Sequence, residues 1–130
     1  MKKGIVFPCY NVEKNINVSN ILAIISFYKP VHFCFVNNGS SDHTIRILEY
    51  ISKESETEVS VLDIKKRKNK AGVIRSGERF LKSNKDLDCV MSITLDFSLG
   101  LEDLKMYLDS NVLQNPEFTD KTLNNINFIE

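Results

Sequence analysis

The polar residues best suited to chemistry lie in the segment 37–44, which reads NNGSSDHT. It follows an apolar run at 31–36 and precedes an amphipathic run at 45–51. Gly39 suits a tight turn and Ser or Asp can cap a helix, so we predict that a strand ends and a helix begins here. Such a turn presents backbone N–H groups at the carboxyl edge of a sheet, where α/β folds bind ligands. The simpler interpretation is a strand-to-helix loop that binds nothing.

Three further segments could contribute to one site. Residues 8–11 (PCYN) close the first apolar run, residues 70–77 (KAGVIRSG) open a later helix, and residues 95–98 (LDFS) end a fourth strand. Arg75 can form paired hydrogen bonds to phosphate oxygens, and Lys70 can act as a compact positive charge. Asp96 offers the hard oxygen ligands that Mg²⁺ and Mn²⁺ prefer. Alternatively, Asp96 caps a turn and the lysines lie on a solvated loop.

The formal net charge of zero hides an uneven distribution of charge. Residues 65–85 contain nine Lys and Arg residues and a single acid, Glu78. A positive segment in a neutral protein favours a local anionic partner over general nucleic-acid binding. No aromatic residues are interleaved with residues 65–70, which argues further against a nucleic-acid module.

Composition indicates one ordinary globular domain, with 42% hydrophobic and 26% charged residues in a chain of 130. No apolar run approaches the roughly 20 residues that span a bilayer, and no signal-peptide pattern is present, so we expect a cytoplasmic location. Cys9, Cys34 and Cys89 lack metal-site spacing, which predicts reduced, mostly buried thiols. His32 and His43 belong to no hydrolase-triad pattern.

The runs alternate in the order β-α-β-α-β-α-β-α. Strands are predicted at residues 4–7, 31–36, 59–64 and 87–95, with Pro8 stopping the first. Helices are predicted from residue 11 or 15 to 27, and at 44–54, 70–83 and 102–108. This alternation predicts a mostly parallel four-stranded sheet with helices on both faces. By analogy with doubly wound sheets, we expect the strand order 3-2-1-4.

In their order and spacing, the four polar segments resemble those of family 2 glycosyltransferases of the GT-A fold, especially the branch of dolichyl-phosphate sugar synthases. The corresponding family segments read roughly P-C-Y-N, D-D-G-S-x-D-x-T, G-K-G-x-A-x-R-x-G and D-A-D. The resemblance covers about residues 4–110. It implies a Rossmann-like α/β domain that is the donor-binding half of an enzyme using a nucleotide-diphosphate sugar. The family's habits favour UDP over GDP.

The resemblance also implies roles for individual residues. Lys70 and Arg75 would bind the diphosphate, and Asp96 with Ser98 would hold a divalent metal, Mg²⁺ or Mn²⁺. Relatives usually carry carboxylates at one or both of positions 37 and 38 and at 98. Because these positions are neutral here, either Lys and Arg bear more of the phosphate charge or the protein no longer catalyses. The donor-nucleotide residues would be Pro8, Tyr10, Asn11, Asn37, Asn38, Ser40 and Asp42.

No catalytic base is identifiable in this chain, although inverting sugar transfer needs one to deprotonate the acceptor hydroxyl. In the family that the chain resembles, the base follows the fourth strand. We therefore predict a nucleotide-sugar-binding domain at 1–112, followed at 113–130 by a tail or the start of an acceptor region. The acceptor is unknown, and a membrane-associated acceptor with a membrane-peripheral location would fit a longer protein. The alternative is a non-catalytic module that binds a nucleotide or a protein at the same sheet edge.

Overall fold

The computed structural model describes residues 2–84 and 86–115. Within these residues all four strands are parallel, in the order β3-β2-β1-β4. The predicted α/β class, sheet order and alternation are therefore confirmed, and α2 and β3 have the predicted bounds. The elements are β1 (Lys3–Cys9), α1 (Val18–Phe27), β2 (Val31–Asn38), α2 (Thr44–Glu54), β3 (Val59–Ile64), α3 (Lys70–Asn84), β4 (Cys89–Ser92) and α4 (Leu101–Leu113).

Helices cover both faces of the sheet. Phe7 and Phe33 stack with ring centroids 5.4 Å apart, in the layer that packs with α1, α2 and α4. Val6 and Val36 belong to the opposite layer, which packs with α3. Neighbouring strand residues therefore face different helices. Burial on both faces explains why the segment 31–36 is apolar without alternation.

Gly77 sets the distance between α3 and the sheet. A Cβ atom at this position would lie 2.5 Å from Cγ1 of Val6 and 3.0 Å from Cγ2 of Val36. Because packed carbon atoms do not approach so closely, only a residue without a side chain allows α3 to pack at this depth. The helix is thereby held directly against the two central strands.

Pro8 lies within β1, so the prediction that it stops this strand is wrong. On the side of β4, the Val6 carbonyl accepts a hydrogen bond of 2.9 Å from the N–H of Ile93. Alternate residues of a strand direct their backbone groups to the same side, so Pro8 also faces β4. Proline has no N–H to donate, and the pairing of β1 with β4 ends there. On its other side, β1 stays paired with β2 through Cys9.

The loss of that pairing explains why β4 is shorter than predicted. It spans only Cys89–Ser92, whereas the apolar pattern predicts a strand over 87–95. Residues 94–97 leave the sheet as a loop at its carboxyl edge. Asp96 therefore lies in this loop and not at the end of a strand.

The first helix begins later than predicted, at Val18. Asn17 caps it by accepting a hydrogen bond of 3.0 Å from the N–H of Asn20. Residues 11–17 form a loop in place of the predicted first helical turns.

The fourth helix is longer than the predicted 102–108. It spans Leu101–Leu113 because Leu104, Leu108 and Val112 recur every four residues and are all buried. Within the predicted tail, residues 116–130 lie outside the described residues.

Other expectations concern the cysteines and histidines. All three cysteines are buried thiols that form no disulfide, as predicted. His32 is buried and forms hydrogen bonds of 2.8 Å with Glu58 and Ser60, as expected of a satisfied core histidine. His43 is exposed just before α2. None of the helices in the described part of the chain is long and apolar enough to cross a membrane.

Candidate functional site

A cavity of about 470 Å³ opens at the carboxyl ends of β1 and β2. The start of α3 and the loop after β4 complete its walls. This is the edge of a parallel sheet at which α/β proteins bind ligands, and the volume is typical of a small-molecule site. The lining residues are Pro8, Cys9, Tyr10, Val12, Asn38, Arg67, Lys68, Asn69, Lys70, Val73, Thr94, Leu95 and Phe97.

Four of the predicted site residues lie in this lining, namely Pro8, Tyr10, Asn38 and Lys70. They come from three of the four sequence segments, and the fourth segment contributes Leu95 and Phe97. The other predicted residues lie outside the lining. These are Asn11, Asn37, Ser40, Asp42, Arg75, Asp96 and Ser98.

Gly39 allows the loop 65–69 to close over the turn 37–44. Its φ of 61° is in the left-handed region that glycine adopts readily. Its N–H donates a hydrogen bond of 2.8 Å to the Ile64 carbonyl, which fixes the turn to the end of β3. A Cβ atom at Gly39 would lie only 2.7 Å from the backbone nitrogen of Arg67. The glycine therefore brings the basic loop into contact with the end of β2.

Asn38 holds the same loop through its amide. The N–H of Lys68 donates to Oδ1 of Asn38 at 2.8 Å, and Nδ2 of Asn38 donates to the Lys68 carbonyl at 2.9 Å. Asn38 is buried, and these contacts use its side-chain acceptor and one of its donors. Asn38, a residue predicted to contact a nucleotide, therefore holds the loop whose cations line the cavity.

Asn11 ties the loop after β1 to the turn after β2. Its N–H donates to Oγ of Ser40 at 2.9 Å, and its Oδ1 accepts from the N–H of Ser41 at 2.8 Å. The residue has a positive φ of 49°, which asparagine tolerates better than most residues. Asn11 and Ser40 therefore hold these loops together behind Tyr10.

Asp42 makes a second set of contacts between the same loops. Its Oδ1 accepts from the N–H of Thr44 at 3.0 Å, and its Oδ2 accepts from the N–H of Glu13 at 3.2 Å. Burial by itself would raise the pKa of the Asp42 carboxyl, but the hydrogen bonds from Thr44 and Glu13 lower it overall. The ionised Asp42 carboxylate thus links the loop after β1 to the start of α2.

Tyr10 and Arg67 form a pair at the mouth of the cavity. The guanidinium carbon of Arg67 lies 3.7 Å from the centroid of the Tyr10 ring, within cation–π range. Arg67 is a site residue that the sequence does not single out. It is one of several cations in the run 65–70, and only the contacts at Gly39 and Asn38 determine which of them face the cavity.

Asn69 caps α3 and orients the residues that follow. Its Oδ1 accepts from the N–H of Gly72 at 2.8 Å. Lys70 is the first residue of the helix and lies in the cavity wall beside Lys68. Arg75 is exposed further along α3 and does not line the cavity.

Asn37 points to a different partner from Asn38. Its Nδ2 donates to Oδ1 of Asp63 at 2.8 Å, and Nζ of Lys65 lies 2.5 Å from Oδ2 of the same carboxylate. The Lys65 side chain first and the Asn37 amide second hold the pKa of Asp63 below its usual value. Oδ1 of Asn37 is buried and has no hydrogen-bond partner among the described residues. Lys65 is therefore paired outside the cavity.

Asp96 and Ser98, predicted to hold a metal, are hydrogen-bonded to each other within one turn. Oδ1 of Asp96 accepts two hydrogen bonds from Ser98, at 3.0 Å from its N–H and at 2.5 Å from its hydroxyl. The hydroxyl bond first and the N–H bond second keep the pKa of Asp96 below its usual value.

In nucleotide sites a divalent ion is usually held by one or two protein carboxylates together with phosphates and waters, and this turn offers only Asp96, one of whose oxygens is engaged by Ser98. Across residues 2–84 and 86–115, no three His, Cys, Asp or Glu side chains lie close enough together to hold one. Ser98 contributes no charge, and its hydroxyl proton is directed at Asp96. This donor set does not fit a divalent-metal site, and no chemical step is assigned to a metal.

A parallel sheet in the order 3-2-1-4, with a cavity lined by three cations at its carboxyl edge, defines a Rossmann-like α/β domain. Residues 4–99 match the family described as Glycosyl transferase family 2. The chain belongs to this family, and the GT-A type of fold is confirmed. Its narrower placement among dolichyl-phosphate sugar synthases stays a prediction.

Among solved structures, the chain is similar to the mannosyltransferase PcManGT from Pyrobaculum calidifontis, determined in complex with GDP-Man and Mn²⁺. The sequence identity is 16% and the TM-score is 0.49. The match covers 61% of this chain and 24% of that one, so the chain corresponds to about a quarter of that protein's length. No curated protein matches the sequence.

Proposed function

We propose that this cavity binds a nucleoside-diphosphate sugar, as the donor site of a family 2 glycosyltransferase. The observation that carries the proposal is the meeting of one exposed aromatic ring and three cations in a single cavity. A nucleoside diphosphate presents the matching features, namely a flat base and a charged diphosphate. Membership of the glycosyltransferase family then indicates a sugar nucleotide as the natural ligand.

Tyr10 is the proposed platform for the base. Its ring is 40% exposed at the cavity mouth, and base–aromatic stacking contributes about 1–3 kcal/mol per base. The Arg67 guanidinium over the same ring offers a second planar group for stacking. Pro8 and Asn38 complete this part of the wall. UDP is the first candidate, with GDP as the alternative.

Lys70 and Arg67 are the proposed diphosphate ligands. Lys70 lies in the cavity wall at the N-terminal end of α3, where the helix dipole also favours negative charge. Arg67 is preferred to Arg75, because Arg67 lines the cavity and Arg75 does not. Asn11, Ser40 and Asp42 are proposed to act by fixing the loops that carry Tyr10, and not by direct contact with the donor.

Catalysis requires a base in addition to this donor site. Among the described residues that line the cavity, none is a carboxylate or an imidazole. The proposal for this chain is therefore donor binding, with the acceptor site and base assigned to other parts of the enzyme. A donor domain at 1–112 and a membrane-associated acceptor are part of the same proposal. The second candidate, a non-catalytic nucleotide-binding module, is favoured by this lack of a base.

Calorimetric titration of the chain with UDP and with GDP tests the proposal. Tyr10→Ala should weaken binding by roughly 5-fold to 150-fold, the equivalent of one lost stacking interaction. Tyr10→Phe keeps the ring and should bind within about threefold of the unmodified chain. Tyr50→Ala removes an exposed tyrosine on α2 and serves as the matched control. If neither nucleotide binds, the donor-site proposal is wrong.

To separate the two candidates, the chain can be incubated with a UDP-sugar and the release of UDP measured. Hydrolysis faster than that of the Arg67→Ala variant would support an enzyme. Because the base is assigned to other parts of the enzyme, binding without turnover is expected of both candidates, and only turnover separates them.

A further inference from the structure

The charges around the cavity are strongly one-sided. Arg67, Lys68 and Lys70 line it, and none of the lining residues that the structure describes is acidic. Lys65 belongs to the same basic run but is neutralised outside the cavity by Asp63, at 2.5 Å. Of the five cations at 65–70, Lys65 is paired outside the cavity, Lys66 does not line it, and the other three do.

These three cations are held by different contacts. The guanidinium of Arg67 rests on the Tyr10 ring at 3.7 Å. The backbone of Lys68 is clasped by Asn38, and its Nζ lies 3.2 Å from Oγ of Ser76. Lys70 is fixed by its position in the first turn of α3. The backbone that carries these cations is therefore held by specific contacts, while the three side chains remain exposed to solvent at the cavity wall.

The loop after β4 offers little negative charge to attract a cation. Asp96 is the single acid in the segment 93–99, it lies outside the cavity lining, and its Oδ1 already accepts both hydrogen bonds from Ser98. Divalent ions in nucleotide sites usually bridge protein carboxylates to phosphate oxygens, which requires negative charge on the protein side. Here the protein supplies positive charge where the phosphates would lie.

We propose that this site binds the diphosphate of its donor without a divalent ion, because Arg67, Lys68 and Lys70 supply the neutralising charge. The inference rests on the proposed function and adds which groups neutralise the charge of the ligand. Arg provides paired hydrogen bonds to phosphate oxygens, and the two lysines act as point charges. Binding should then depend on ionic strength and not on Mg²⁺ or Mn²⁺.

The test is calorimetric titration with UDP and GDP, each in EDTA and in excess Mn²⁺. For the nucleotide that binds, we expect dissociation constants that agree within about twofold in the two buffers. Arg67→Ala and Lys70→Ala should each weaken binding by about tenfold or more. Asp96→Ala should leave it unchanged. Raising NaCl from about 50 mM to about 500 mM should weaken binding severalfold.

Matched controls come from the same helix. Arg79→Ala and Lys82→Ala remove exposed cations of α3 that do not line the cavity, and both should bind like the unmodified chain. Urea denaturation of every variant verifies that it is folded.

Two outcomes would overturn the inference, and they are distinguishable. Binding that Mn²⁺ strengthens by about tenfold or more, and that Asp96→Ala abolishes, would show a metal-dependent donor site and leave the proposed function intact. No binding of either nucleotide in either buffer would overturn the proposed function and this inference together.

Discussion

Replacing Asn38 by alanine should release the basic loop from the end of β2. The substitution removes both hydrogen bonds between the Asn38 amide and the Lys68 backbone, of 2.8 Å and 2.9 Å. A typical internal hydrogen bond contributes about 0.5–1.5 kcal/mol, so the pair contributes about 1–3 kcal/mol. The loop 65–69 is exposed, and water can reach the released Lys68 groups. We therefore expect a loss of about 1–2 kcal/mol in the free energy of unfolding.

Two measurements report this loss. Urea denaturation should show a midpoint lower by about 0.5–1 M with an unchanged slope. Trypsin cleaves after Lys and Arg, so native-state cleavage within the loop 65–69 should become roughly 5-fold to 30-fold faster as the loop opens more often. Asn15→Ala, at an exposed position in the loop after β1, is the matched control and should change neither quantity.

Asn38→Asp sharpens the test. An aspartate retains an acceptor for the Lys68 N–H, but it directs a second, charged oxygen at the Lys68 carbonyl, where Asn38 now donates. At neutral pH this variant should be at least as destabilised as Asn38→Ala. Acidification protonates the carboxyl and restores a donor, so the urea midpoint of this variant should move closer to that of the unmodified chain. Unchanged midpoints and unchanged trypsin cleavage in both variants would show that Asn38 does not hold the loop 65–69 against the end of β2.

Three further predictions concern packing, turn geometry and pH. Gly77→Ala should lower the free energy of unfolding by about 1–2 kcal/mol despite the better helix propensity of alanine, because the new methyl group overlaps Val6; a raised urea midpoint would contradict this. Gly39→Ala should destabilise by about 1–3 kcal/mol, since it strains a left-handed residue against the basic loop, and it should also accelerate tryptic cleavage of that loop. Burial alone would raise the pKa of the Asp42 carboxyl, but the hydrogen bonds from Thr44 and Glu13 together make it lower in the folded than in the unfolded chain. Its contribution to stability is therefore complete above the unfolded value near 3.8 and is lost as the pH falls through the folded pKa. Asp42→Asn should make the free energy of unfolding less dependent on pH in this acidic range. The same pH dependence in both proteins would disprove this role of Asp42.

Elements whose pattern is local follow from the sequence. The helix α2 and the strand β3 have the predicted bounds, because each is an uninterrupted periodic run with polar residues on either side. The order of the strands, expected by analogy with doubly wound sheets and with the family that the chain resembles, is confirmed as well. Four of the proposed site residues fall in the cavity because parallel strands end at one edge.

Pro8 shows why other features cannot be predicted locally. A proline in an apolar run predicts the end of a strand, yet β1 continues through it to Cys9. Its effect falls on β4, a partner far along the chain, because the missing N–H faces that side. Which neighbour a residue faces depends on the register of the whole sheet, and the sequence of one segment does not contain that information.

Arg67 shows the same limit within the site. The run 65–70 supplies five similar cations, and no periodicity distinguishes them. The choice depends on Gly39, whose missing side chain admits the loop, and on Asn38, which clasps it. Asp63 then removes Lys65 from the cavity. The contacts of Gly39 and Asn38 join segments that are distant in sequence and meet only in the folded sheet, whereas Asp63 and Lys65 are near neighbours along the chain.

The resemblance implies a carboxylate at one or both of positions 37 and 38 and another at 98, and the neutral residues found there share one feature. Asn37 donates a hydrogen bond to the Asp63 carboxylate, Asn38 donates to a backbone carbonyl, and Ser98 donates to the Asp96 carboxylate. An ionised carboxylate has no proton to donate, so none of these contacts could form with Asp at those positions. The three neutral residues are therefore held in the fold by specific acceptors, and of the three only Asn38 lines the cavity.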